Sequence, residues 1–221
     1  RHGQGVGQGR GAGWTAGVAA ATLRTGFSLI HAKGSVEAMN RMPPLSREAM
    51  DVDQQRVVAN IEAGPRKGFY GPFVPLLHSP LLLDRIQELG LLCRFQSSFL
   101  PKLSELLILI LARYWTAQFE WHSHVESAKD AGVPAAAIEA IRVRGEPVFD
   151  DPDQALIYAF AHEYYTTQRV SDATFAAAVA RFERRGVVDL VGVMGYYALI
   201  AMSLNIFEEP LPDGAEPPLG P

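Results

Sequence analysis

The stretch PKLSELLILILARYWTAQFEWHSH (residues 101–124) joins a fully apolar run, Leu106–Ala112, to a segment rich in aromatic and titratable side chains. Pro101 suits the first turn of a helix, and helix-forming residues continue on both sides of the run. Both features favour a helix over Leu103–Thr116 rather than a buried strand. A helix that is apolar on all sides lies at the centre of a fold or in an oligomer interface. A second helix is predicted from about Glu120 to Ala131, so the segment is expected to form a central helical hairpin.

Helix start and stop signals on either side of this hairpin predict an all-α fold. The candidate N-caps are Ser46, Asp151 and Ser171. The Gln154 side chain is expected to reach back to Asp151. The helix before the hairpin is expected to end at Gly90 and to have an apolar side made of Leu81, Leu82, Ile86 and Leu89. No pair of strands joined by a hairpin turn is evident. The predicted helices outside the hairpin cover residues 46–62, 80–90, 134–144, 151–167, 171–186 and 187–205.

The first 38 residues differ in composition from the rest of the chain. They hold nine of the 20 glycines, none of the 15 prolines and a net charge of +3, whereas the remainder carries −7. Such a Gly-rich segment cannot bury enough surface to offset the entropy of ordering it. Residues 1–38 are therefore expected to be a leader outside the fold, either an organellar transit peptide or a stretch translated upstream of Met39 or Met42. A short helix over Thr15–Ile30 is a further alternative. Residues 39–208 are predicted to form the helical domain, and 209–221 a Pro-rich extended tail.

Composition also excludes several classes of site and partner. A single cysteine, Cys93, excludes an intramolecular disulfide, a Cys-x-x-Cys redox pair and a zinc site of several thiolates. Its apolar neighbours indicate a thiol packed in the core. The net charge of −4 argues against nucleic-acid binding. The run Leu106–Ala112 is too short to cross a membrane, so no membrane partner is expected. A cytoplasmic location is expected unless residues 1–38 are a transit peptide.

The residues best suited to chemistry lie in the hairpin. Glu120 and His124 are four apart, which places them on one helix face. Glu105 lies on the apolar helix, where a carboxylate is costly unless it has a partner, and a hairpin would let it reach His124. A carboxylate–imidazole–carboxylate cluster in an apolar setting suits proton transfer. The alternative, a solvated Glu–His pair, does not explain the buried Glu105.

A metal site is not predicted. His122 and His124 are two apart, which suits ligands on a strand better than ligands on a helix, and no third ligand is evident near Glu120. Arg113, at the end of the apolar helix, could pair with a substrate carboxylate through its planar guanidinium or be a solvated helix-end charge.

Glu105, followed by Phe119-Glu120-Trp121-x-x-His124, resembles the carboxymuconolactone decarboxylase family, which shares its fold with alkylhydroperoxidase D. Three further segments look like the longer members of that family: Gly71-Pro72-Phe73, Leu77-His78-Ser79-Pro80 and Leu204-Asn205-x-Phe207. The resemblance covers the chain from about Pro43 onward. It implies an alkylhydroperoxidase D-like helical bundle that assembles as a trimer or hexamer.

The two branches of that family differ in chemistry. The peroxidase branch has the pattern Glu-x11-Cys-x-x-Cys-x-x-x-His, whose cysteine positions fall here on Ala117 and Glu120. A dithiol peroxidase needs both thiols, so that chemistry is disfavoured. The remaining residues resemble the decarboxylase branch, which removes CO₂ from a carboxylated lactone of aromatic catabolism without a metal or organic cofactor.

The resemblance implies a role for each residue. His124 would donate or shuttle a proton, Glu120 would orient it or act as general acid, and Glu105 would fix its tautomer. The expected substrate contacts are Arg113, Phe119, Trp121 and His122. Of these, Phe119 and Trp121 would also exclude water from the pocket. The expected function is a cofactor-free, decarboxylase-like lyase acting on a small carboxylated, lactone-type molecule. The alternatives are a hydroperoxide reductase and a non-catalytic oligomeric protein that binds a small molecule.

Overall fold

The computed structural model describes residues 41–66 and 68–221, except the side chain of Asp213. The predicted leader, residues 1–38, and the alternative helix over Thr15–Ile30 lie outside the described residues. Within the described residues every regular element is helical and no strand is present, which confirms the all-α prediction. The α-helices are α1 (Val52–Ala63), α2 (Phe73–Leu76), α3 (Pro80–Leu91), α4 (Pro101–Tyr114), α5 (Gln118–Asp130), α6 (Ala135–Arg142), α7 (Pro152–Thr167) and α8 (Asp172–Phe207).

The first long helix begins later than the sequence predicted. Ser46 caps only a short 3-10 turn, Arg47–Ala49. Helix α1 begins after Asp51, whose side chain accepts a hydrogen bond from the backbone N–H of Gln54 at 2.8 Å. The Gln54 side chain accepts one from the Asp51 N–H at 2.9 Å, which completes a capping box. The prediction of a single helix from Ser46 was wrong because this reciprocal pair of caps starts the helix further along the chain.

The buried side of α3 also differs from the prediction. Three leucines that were expected to face the core are exposed: Leu81, Leu82 and Leu89. The buried side consists instead of Leu83, Asp84, Ile86, Gln87 and Gly90. Apolar residues lie all round this helix, so periodicity does not decide its orientation. In the observed orientation Leu83 and Ile86 are buried, and Arg56 of α1 donates a hydrogen bond of 2.9 Å to the nearly buried Asp84 carboxylate.

Gly90 lies inside α3 and does not end it. The chain stays helical through Leu91 and continues as a π-helical segment, Leu92–Gln96. A Cβ atom at position 90 would overlap the Tyr196 hydroxyl and the guanidinium of Arg66. Glycine is therefore required at position 90 because Tyr196 and Arg66 pack closely against α3 there, and not because the helix ends there. The π-helical segment is of the kind that often occurs at functional sites.

Helix α4 is the centre of the fold. Every residue of Leu106–Ala112 is buried, and α4 packs against α5, α6, α7 and α8. A short turn follows, in which Thr116 adopts a left-handed conformation with φ of 50°, and α5 packs back along α4. The predicted central hairpin is confirmed, and it brings residues of α5 against residues of α4.

The sequence predicts the N-caps of α7 and α8 correctly, but not the contact of Gln154 or the position of the break in α8. The Asp151 side chain accepts from the N–H of Asp153 at 2.9 Å, and Ser171 caps α8. Gln154 does not reach back to its cap, because its amide donates to the Gly132 carbonyl at 3.4 Å. The expected break at Gly186 is also wrong. The interruption is a kink within α8 at Glu183, which has φ of 60° and ψ of 173°.

Among the described residues, α8 alone is long and apolar enough to cross a membrane by length and composition. Asp189, Gly192 and Gly195 interrupt its apolar residues, so no uninterrupted apolar run of that length marks it in the sequence. In the fold, 56% of its most apolar stretch is buried.

The C-terminal segment, residues 209–221, is docked on the fold. It contains a 3-10 turn, Pro212–Gly214, so it is not extended throughout as predicted. Leu219 is buried, and its backbone N–H and C=O each form a 2.8 Å hydrogen bond with the Gln118 side chain. The segment thereby contacts the first residue of α5, close to the candidate site.

Candidate active site

The hairpin brings Glu105 of α4 and His124 of α5 into contact. Both side chains are buried, and the His124 Nδ1 donates to Glu105 Oε2 at 2.7 Å. This hydrogen bond confirms the expectation that a hairpin would let Glu105 reach His124. The bond fixes the ring orientation and leaves Nε2 without a hydrogen bond to any described residue.

Glu120 lies one turn before His124 and is the most deeply buried acid in the site. It is 2% exposed, and neither of its carboxyl oxygens has a hydrogen-bond partner among the described residues. Burial raises the pKa of this carboxyl well above its usual range, which favours the protonated acid. An unsatisfied buried carboxyl is costly for stability, and such groups often mark functional sites.

Glu120 and His124 line the same cavity of about 120 Å³. Five of its lining residues are aromatic, and two, Ser123 and Tyr70, are exposed. The volume is slightly below the roughly 150 Å³ of an apolar cavity that admits benzene, so the space suits at most one small ring. The residues that line it are Arg66, Tyr70, Pro72, Phe73, Arg94, Phe119, Glu120, Ser123, His124, Tyr196, Tyr197, Ile200 and Leu204.

Two arginines line the cavity that the sequence did not single out. Arg94 comes from the π-helical segment, and Arg66 from the loop after α1. The Arg66 guanidinium lies 5.1 Å from the centre of the Phe73 ring and donates to the Gln87 carbonyl at 3.4 Å. Neither guanidinium forms an ion pair with a carboxylate in the described part of the chain. The cavity is therefore electropositive and suits an anion.

Two tyrosines of α8 form a further part of the wall. The Tyr197 ring packs edge-on against the His124 ring at 5.5 Å. Burial raises the pKa of both Tyr196 and Tyr197, although Arg66 acts in the opposite direction on Tyr196. Both side chains therefore stay neutral phenols that can donate or accept a hydrogen bond.

The four predicted substrate contacts lie in different parts of the structure. Phe119 lines the cavity, and Gly71 allows its close approach: Gly71 has φ of 60°, and a Cβ there would lie 2.8 Å from the Phe119 ring. Trp121 is buried in the core, and His122 is exposed; neither lines the cavity. Arg113 lines a different cavity, near the C-terminal end of α4. No sequence signal separated Arg113 from Arg66 and Arg94, because their placement depends on how α3 and α8 pack.

Neither a metal-ligand cluster nor a thiol of lowered pKa is found at the site among the described residues. Within residues 41–66 and 68–221, no group of three or more histidine, cysteine or acidic side chains is arranged to hold a metal ion. Cys93 is buried, and burial raises the pKa of its thiol to about 11, so it is a poor nucleophile.

A comparison of the chain with known protein families finds no match, and a search among curated proteins finds no similar sequence. The chemistry of the site therefore has to follow from its own residues and their geometry.

Proposed function

We propose that this protein is a cofactor-free, decarboxylase-like lyase that acts by proton transfer on a small carboxylated, lactone-type molecule. The single observation that carries the proposal is Glu120: a fully buried carboxyl with no hydrogen-bond partner in the described part of the chain, in the wall of an electropositive cavity. A protonated acid beside a cationic, ring-sized space suits delivery of a proton to an anionic substrate.

The proposed reaction assigns each group a step. The bond between the substrate carbon and its carboxylate breaks, CO₂ leaves, and the electron pair is delocalised as an enolate. Arg66 and Arg94 would attract the anion and stabilise the enolate oxygen. Glu120 would deliver the proton to carbon, and His124, oriented by Glu105, would return a proton from solvent to the Glu120 carboxylate. Because no hydrogen bond joins Glu120 to His124, the geometry favours the role of general acid for Glu120 over that of orienting the imidazole.

The proposal includes the fold family and the assembly that the sequence resemblance implied. A central hairpin bearing Glu105, Glu120 and His124 supports an alkylhydroperoxidase D-like bundle. A second copy of this chain would cover the exposed apolar stripe of α3 and its π-helical extension, formed by Leu81, Leu82, Leu89, Leu92 and Phe95. In a light-scattering measurement, Leu89→Lys should lower the mass of the oligomer. Val148→Lys, an exposed position outside the stripe, should not.

The activity is tested with 4-carboxymuconolactone as substrate and release of CO₂ as readout. Glu120→Gln and His124→Ala should each lower turnover at least about 100-fold. The exposed neighbours on the same helix provide matched controls, because Glu126→Gln and His122→Ala change the same residue types outside the cavity. Unchanged turnover in both cavity variants would contradict the proposal.

Two further measurements separate the alternatives. Peroxide consumption with a dithiol reductant that survives Cys93→Ser would favour a hydroperoxide reductase. In this chain the two cysteine positions of the peroxidase pattern are occupied by Ala117 and Glu120. Carboxylated ligands that raise the melting temperature with no product formed would favour a binding protein.

A further inference from the structure

A second cavity, of about 380 Å³, lies between the C-terminal part of α4, the end of α6 and α7. Its lining includes Arg113, which is eight residues after Glu105 and thus about 12 Å further along α4. The volume is within the range of small-molecule sites, roughly 300–1,000 Å³. None of its lining residues borders the candidate active site.

Two guanidinium groups meet at this cavity. The Nη1 of Arg113 and the Nη2 of Arg144 donate to the same hydroxyl oxygen, Thr116 Oγ1, at 3.3 and 3.0 Å. Arg113 is 5% exposed, and its buried Nε has no hydrogen-bond partner among the described residues; its Nη2 donates to the Pro221 backbone oxygen at 3.3 Å. Neither group forms an ion pair with a carboxylate side chain of the described residues. Two like charges that share one neutral acceptor favour a bound anion.

Arg144 is held in a conformation that side chains rarely adopt. Its φ is 59°, although the next residue, Gly145, would adopt a left-handed conformation without strain. Residues kept in such conformations cluster at binding and active sites. Here the strained residue carries one of the two guanidinium groups of the cavity.

The rest of the wall indicates the class of ligand. Tyr158 and His162 stack with their rings 5.3 Å apart and 15° from parallel, and Tyr165 forms another part of the wall. Glu146 is the one acid in the lining. Aromatic faces suit a planar ring, and a pair of guanidinium groups suits a carboxylate.

We propose that this cavity binds an aromatic carboxylate, with the carboxylate between Arg113 and Arg144 and the ring against Tyr158, His162 and Tyr165. The site is independent of the proposed lyase activity, because it shares no lining residue with the first cavity.

The test uses 2-naphthoate as probe with the full chain, in isothermal titration calorimetry. Two fused rings exceed the benzene-sized first cavity and fit the second. The wild-type protein should bind the probe saturably, and Arg144→Gly should weaken binding about 10-fold or more, since a hydrogen bond to a charged group is lost. Glycine adopts the observed φ without strain, so this variant is expected to fold. Arg144→Asn, which also tolerates that conformation, is a second variant.

Three controls make the result specific. Arg169→Gly removes an exposed guanidinium outside the cavity and should leave the affinity unchanged. His124→Ala alters the first cavity and should also leave the affinity unchanged, whatever its effect on turnover. The neutral analogue 2-naphthalenemethanol should bind much more weakly than the carboxylate. Absence of saturable binding, equal affinity in both Arg144 variants and the wild type, or loss of binding in His124→Ala would overturn the proposal.

Discussion

Glu105 Oε2 lies 2.7 Å from His124 Nδ1, so a buried carboxylate on one arm of the central hairpin holds the imidazole on the other. Replacing Glu105 with Gln keeps the size and removes the charge. We expect turnover to fall about 10- to 100-fold, the equivalent of the roughly 1.5–3 kcal/mol that a hydrogen bond to a charged group contributes. Steady-state kinetics should show the loss mainly in kcat, since Glu105 does not line the cavity. A change confined to KM would argue against a positioning role.

Burial of Glu120 predicts a pH-dependent stability. Its raised pKa means that the folded state keeps a proton which the unfolded state releases above about pH 4.3. The contribution of this carboxyl to stability is therefore complete below that pH and is lost as the pH rises through the folded-state pKa. Glu120→Gln should gain stability relative to the wild type as the pH rises above about 5 towards the folded-state pKa, by at most about 1.4 kcal/mol per pH unit. Denaturant unfolding at several pH values measures the difference, and the exposed Glu126→Gln should show none.

Arg94 is expected to bind the anionic substrate. Arg94→Gln should lower kcat/KM about 10-fold or more, because it removes a charged group from a partly desolvated cavity. Arg169→Gln is the matched control: it changes an exposed arginine that lies outside the cavity and outside the apolar stripe of α3. Equal kcat/KM values for the two variants would contradict the assignment.

Gly71 is expected to be intolerant of a side chain. Gly71→Ala introduces strain at φ of 60° and a contact 2.8 Å from the Phe119 ring. The expected loss of stability is about 1–3 kcal/mol, or a fall in melting temperature of roughly 2–12 °C. Gly132→Ala separates the two effects, since Gly132 also has a positive φ but no neighbour within 4 Å of the added carbon. If both variants lose the same free energy of unfolding, the contact between the added carbon and the Phe119 ring does not destabilise the fold.

The C-terminal segment is expected to detach when Gln118 is truncated. Gln118→Ala removes both hydrogen bonds to the Leu219 backbone. The two bonds contribute about 1–3 kcal/mol together, and limited proteolysis should then cleave residues 209–221 faster. Gln96→Ala, at an exposed glutamine, should leave the proteolysis rate unchanged. An unchanged rate in Gln118→Ala would show that the remaining contacts hold the segment: the burial of Leu219 and the hydrogen bonds from Arg113 to Pro221 and from Arg142 to Pro218.

The sequence by itself determined the helical class, the central hairpin and the group formed by Glu105, Glu120 and His124. These features depend on local signals: apolar periodicity, caps, and a spacing of four that places two side chains on one helix face. The capping box at Asp51 was overlooked, although it too is a local signal.

Only the tertiary structure decided the buried side of α3, the position of the kink in α8 and the lining of the two cavities. Leucines lie on all sides of α3, so its own pattern does not decide its orientation. The orientation follows from its packing in the fold, where Leu83 and Ile86 are buried and Arg56 of α1 contacts Asp84. Arg66, Arg94 and Arg113 are equivalent as sequence signals. Two of them reach the first cavity because a loop and a π-helical segment pack beside Tyr196 and Tyr197, whereas Arg113 lies at the far end of α4. Local propensity acts within a few residues, whereas a cavity is formed where distant elements fail to fill the space between them.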